Sequence, residues 1–145
     1  MIIQCLAAFA GSFGFSFVFR IHNNLRFALL GGLVGMAGWM VYLLTGITHN
    51  IFLQSFLAML VVAILAEGLA RLLKAPATIF LMVGCFPLVP GKGIYDTMIA
   101  AIQGKDALFI HNGLRTLGIS LSLSLAILFS ATVILIIKQL TPKHN

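Results

Sequence analysis

The sequence predicts an all-α, polytopic membrane protein of five transmembrane crossings, the fourth broken at a Pro/Gly motif, making one half of an inverted repeat. Three observations carry this. Of the 145 residues, 61% are hydrophobic and only 8% charged, against roughly 25% charged residues in a soluble domain. Apolar runs of spanning length recur with short polar breaks between them. One run is too short to span and leads into FPLVPGKGIYDTM, which places two prolines, two glycines, a lysine and an aspartate in an otherwise apolar chain.

A bilayer core about 30 Å thick needs roughly 20 apolar residues per helix, so the chain has room for about four to six crossings. No soluble domain fits beside them, and residues 1–145 read as a single transmembrane domain. The first run, residues 2–19, lacks the positive leader of a secretory signal and reads as a retained helix. It closes on Arg20, His22, Asn23, Asn24 and Arg26, and residues 27–48 form the next run. A minimal break at His49 and Asn50 precedes residues 51–70, which end at Arg71 and Lys74. Pro76 then bars continuation of that helix.

Residues 77–89 supply only thirteen apolar positions, about 20 Å of helix at 1.5 Å per residue, which is too short to cross. If Pro87 and Pro90 end one half-helix, and Gly91 and Gly93 allow an unwound turn, a second half restarting near Gly93 and reaching Gln103 completes the crossing over 77–104, broken near 87–93. The last run, residues 113–137, contains SLSLSL, whose period of two alone would favour a strand, but its length and apolar flanks favour helix. Transmembrane strands would alternate polar and apolar residues over about ten positions, and these segments are solidly apolar.

The formal net charge of +6 comes from nine Lys and Arg spread singly between the runs, not gathered on one face as nucleic-acid binding requires. They act as orientation signals. With five crossings, Arg20, Arg26, Arg71, Lys74, Lys138 and Lys143 fall on one side and Lys105 and Arg115 on the other, which puts the N-terminus outside and the C-terminus in the cytoplasm. Cys5 and Cys85 sit inside apolar segments without metal-ligand spacing, and His22, His49, His111 and His144 lie in separate loops, so no metal site is expected. Three acidic residues and no clustered His, Cys or Ser/Lys set argue against an enzyme, and no cofactor is predicted.

Irregular backbone at membrane depth is tolerated only where protein or a water-filled cavity satisfies it, so the break predicts a cavity. Transporters use such discontinuous helices, with a half-helix N-terminus presenting N–H groups to an anionic substrate group. Lys92 at that N-terminus opposes the helix dipole, a conflict that a bound carboxylate resolves. Asp96, one turn later, can pair with Lys92 and shares a polar face with Ala100 and Gln103. The competing reading is a membrane-surface loop with Lys92 snorkelling to water. A Walker A loop fails on spacing, since six residues separate Gly84 from Gly91-Lys92 and Gly93 follows.

Elsewhere, Glu67 is placed to pair with Arg71 at i,i+4, the sharper alternative being a proton-relay carboxylate. Gly31, Gly35, Gly38, Gly118 and Ser122 fall at spacings that let helices approach closely. Trp39 and Tyr42 read as interfacial aromatics at the outer end of the second span, the alternative being a substrate-facing Trp39.

The stretch FPLVPGKGIYDTM with the following IAAIQG, together with FVFRI and GMAGWMVYLL, resembles the threonine/serine exporter family over nearly the whole chain. The match is to its short subunit, equivalent to the C-terminal five-helix half of fused exporters. The resemblance implies a multi-pass exporter of the bacterial inner membrane, driven by the proton motive force, moving threonine, serine or related small carboxylates such as succinate. It implies a longer membrane subunit of the same family as partner. The positions carried over are Pro87, Pro90, Gly91, Gly93, Tyr95 and Asp96, while Lys92 departs from the small residue usual there. The rival reading is a non-transporting membrane subunit that stabilises a partner transporter.

Overall fold

A computed structural model describes residues 1–18 and 25–140, and every described element is helical, with no strand among them. Helix α1 covers Ile2–Val18, and α2 covers Leu25–Leu44 and runs into a 3-10 turn, Thr45–Thr48. Helix α3 covers Ile51–Leu73 and α4 Ala77–Cys85, followed by a second 3-10 turn, Phe86–Leu88. Helix α5 covers Gly91–Ile102 and α6 Asp106–Leu140. Arg20, His22, Lys143 and His144 lie outside the described residues.

Three helices, α2 with its 3-10 extension, α3 and α6, are long and apolar enough to cross a membrane. The pair α4 and α5, bent by 53° at the break, would make a fourth if counted as one span, and α1 is a shorter apolar helix. The boundaries follow local chemistry. Asn50 caps α3 by accepting from the N–H groups of Phe52 and Leu53, which satisfies two of the orphan donors of a helix start. Helix α3 continues three residues past the expected end at 70, because Arg71 stays helical and pairs with Glu67. It stops at Lys74, whose φ of 51° is left-handed, just before Pro76. Helix α6 begins seven residues before the expected 113, with Asp106 in its first turn where the helix dipole favours an acid.

Packing is centred on α2, which touches α1, α3 and α4. In lipid, helices associate by close packing rather than by escape from water, so small residues mark the contacts. Between α2 and α4 the fit is reciprocal. A Cβ on Gly31 would stand 2.8 Å from Val83 Cγ1, and one on Gly84 2.6 Å from Val34 Cγ1. Val34, Ala58, Met59, Val62, Leu88 and Ala126 form one buried cluster, and Ala66, Ala70 and Phe80 another beside it. Helix α6 lies at the edge against α3 and α5, and α5 has no other helix as neighbour among the described elements.

Candidate functional site at the chain break

The break is built by two prolines with different jobs. Pro87 occupies the first turn of the 3-10 segment, where a missing N–H costs nothing. Pro90 forces the residue before it into extended backbone, and Val89 has ψ 129°. Pro90 itself, at φ −77° and ψ 54°, centres an inverse γ-turn in which Gly91 N–H donates to Val89 C=O at 2.8 Å. Ile94 N–H donates to Pro90 C=O at 3.1 Å. The N–H groups of Lys92 and Gly93 are thus the donors left over in the uncapped first turn of α5. The γ-turn removes Gly91 from the N–H groups that the start of α5 could offer to a ligand.

Gly93 is required by a close approach rather than by its torsion angles. A Cβ there would collide with the Thr116 side chain of α6, 3.4 Å from its Cβ and nearer to its hydroxyl. One turn along, Thr97 Cγ2 stands 3.6 Å from the corresponding position on Gly113. Two Gly/Thr contacts therefore seat α5 on α6.

Beside the break lies a cavity of about 330 Å³, at the end of the bundle where α2 turns into α3. That volume sits at the small end of ligand pockets. The break lines it from Pro87 to Gly93, with Asp96 from the next turn of α5. Lys92 Nζ and Asp96 Oδ2 are 3.3 Å apart, with the lysine side chain 91% exposed and the aspartate 40%. So exposed a pair contributes little and exchanges partners readily.

The far wall was not expected. Helix α6 contributes Asn112, Arg115, Thr116 and Ile119, an i, i+3, i+4, i+7 face. Arg115, read from sequence only as an orientation charge near the start of the last run, is nine residues inside α6 and lines the cavity. Ser55 of α3 donates its hydroxyl to Ile51 C=O at 2.8 Å, and Thr116 donates to Asn112 C=O at 2.7 Å, leaving oxygen lone pairs to accept from a ligand. Trp39 and Tyr42 complete the lining, stacked with ring centroids 5.2 Å apart. Trp39 Nε1 is buried without a hydrogen-bond partner among the described residues.

Of the predicted site residues, the fold brings together Pro87, Pro90, Gly91, Lys92, Gly93 and Asp96. Tyr95 is not in the lining; it is 63% exposed on the outer face of α5, with Met98 and Ile102. Glu67 pairs with Arg71 at 3.3 Å and lies twelve residues along α3 from Ser55, roughly 18 Å away. No group of three or more His, Cys, Asp or Glu that could hold a metal occurs among the described residues.

A multi-pass helical membrane protein whose discontinuous segment opens on a small, charged cavity belongs to the architecture that transporters use. The family described as Threonine/Serine exporter, ThrE, matches residues 4–133, and the chain belongs to that family. A search of curated proteins gave no match, and neither did a search of solved structures.

Proposed function

We propose that this chain is the short subunit of a two-component secondary exporter in the bacterial inner membrane, with the cavity at the Pro/Gly break as part of its substrate site. The observation that carries this is the joining of the break, the Lys92–Asp96 pair and the Asn112/Arg115/Thr116 face around one cavity. In this reading α4 and α5 together make a broken fourth crossing of five. The 17 residues of α1 are at the short end of spanning lengths. The N-terminus lies outside and the C-terminus in the cytoplasm, as the Lys/Arg distribution favours. Five crossings with one fixed orientation make half of an inverted repeat, and a longer membrane subunit of the same family supplies the other half.

The substrate is threonine, serine or a related small carboxylate, moved by the proton motive force. Asp96 provides the coupling. It binds either a substrate ammonium or a proton, and because one occupant excludes the other, the two fluxes are linked. Efflux of radiolabelled threonine, serine and succinate from proteoliposomes holding this chain and its long partner tests the proposal. Both chains should be needed, and Asp96→Asn should abolish proton-driven efflux while the complex still assembles. Normal efflux by that variant would support the rival, in which the chain only stabilises a transporting partner.

A further inference from the structure

We infer that Arg115 is the residue that holds the substrate's carboxylate, with Asp96 exchanging Lys92 for the substrate's cationic end. This deepens the transporter proposal and rests on it for the identity of the ligand. The cavity lining carries two cations, Lys92 and Arg115, and one carboxylate, Asp96. Asp96 is already engaged by Lys92 at 3.3 Å, Glu67 is engaged by Arg71 at 3.3 Å on another part of α3, and Asp106 is not in the lining. Arg115 is therefore the charge in this cavity without an acidic partner among the described residues.

Placement sharpens this. Arg115 is nine residues into α6, roughly 14 Å along its axis from the first turn, in a helix whose later course is apolar. Its side chain is exposed at the rim of the cavity, where an unpaired guanidinium is free to take an anionic ligand. A guanidinium offers a planar fork of donors that matches a carboxylate bidentately, whereas Lys92 offers a point charge. The flanking Thr116 spends its proton on Asn112 C=O, so its oxygen can only accept. A carboxylate on Arg115 thus has a donor-accepting oxygen next to it for the ammonium or hydroxyl of the same small molecule. A dicarboxylate would set its second carboxylate on Lys92 instead. Both substrate classes share the first contact.

The sequence has one tryptophan, Trp39, and it lines this cavity, which gives a direct readout. The experiment is a fluorescence titration of the full chain in nanodiscs, alone and with its partner, using L-threonine, L-threonine amide and succinate, for wild type, Arg115→Gln and Arg115→Lys. In wild type, threonine should change the Trp39 signal and the amide, which lacks a carboxylate, should not. Arg115→Gln should weaken threonine binding roughly tenfold, the scale of losing one hydrogen bond to a charged group, and should erase the preference for acid over amide. Arg115→Lys should fall between. Response to succinate as well as threonine would assign the site to carboxylates in general. The inference is overturned if wild type responds to none of the three, if it responds equally to acid and amide, or if Arg115→Gln titrates as wild type. Carboxylate binding that depends on Arg115, in a complex that moves no substrate, would sink the exporter proposal and leave the role of Arg115 standing.

Discussion

The two halves of the broken segment are held in opposite ways. Helix α4 is wedged between α2 and α3, with Phe80, Val83 and Gly84 buried. Helix α5 buries only Ala100 and rests on α6 alone. Both charges of the motif sit on the loosely held half. The lesson is a division of labour: α4 fixes where the break is, and α5, leaving a γ-turn at one end and a left-handed Gly104 (φ 64°) at the other, carries the charged pair at the cavity.

The strongest way to break this comparison is in α4. Phe80 is 0% exposed and packs edge-to-face on Phe27, ring centroids 5.8 Å apart, between Ala66 and Ala70 of α3. Phe80→Ala leaves a ring-sized void that neighbouring helices fill only in part, and truncations of this kind cost about 3–5 kcal/mol. Thermal unfolding in detergent should show this variant as the least stable of the set. The same truncation in α5 at Met98, 61% exposed to the surroundings, should be nearly silent. Equal losses in the two halves would remove the distinction between a fixed and a loose half.

How much of this was legible follows the same division. The break could be read because Pro87 and Pro90 act through local backbone geometry, and the Lys92–Asp96 pair because one helical turn fixes its spacing. Tyr95 was legible as a neighbour of the break, but the fold turns it away from the cavity. One position from Asp96 on a helix is a turn of about 100°, which puts it with Met98 and Ile102 rather than in the cavity. Arg115, Thr116 and Ser55 were not legible as lining, because which face of an apolar helix turns inward is decided by its neighbours, here α3 and α5 against α6. The early start of α6 was missed for a related reason: Asp106 and Asn112 look like a loop until the helix dipole accounts for the first and the cavity for the second.

A subtler break targets the seat of α5. Gly93→Ala drives a methyl group into Thr116, while Gly91→Ala, two residues earlier, meets nothing within 4 Å. Overpacking of one methyl costs typically 1–3 kcal/mol, so Gly93→Ala should lose stability and shift α5, and Gly91→Ala should stay within about 0.5 kcal/mol of wild type. Adding Thr116→Ala to Gly93→Ala should restore part of the loss, with a coupling of roughly 0.5–3 kcal/mol for residues in contact. A double-mutant cycle on unfolding free energy reads this directly. Additivity would mean that α5 is not seated through Thr116.

The smallest effect separates Glu67, which the sequence offered as a proton relay, from Asp96, to which the proposed transport cycle gives that role. Glu67 and Asp96 each pair with a base one turn away at 3.3 Å, so local spacing treats them alike. Only Asp96 faces the cavity, and Glu67 sits about 18 Å along α3 with Arg71, in a pair 54% and 32% exposed. Exposed i,i+4 pairs contribute about 0.3–0.5 kcal/mol. Glu67→Gln should therefore change stability by no more than that and leave proton-driven efflux unchanged, whereas Asp96→Asn should abolish it. Loss of coupling in Glu67→Gln would move the proton path out of the break and onto the other end of α3.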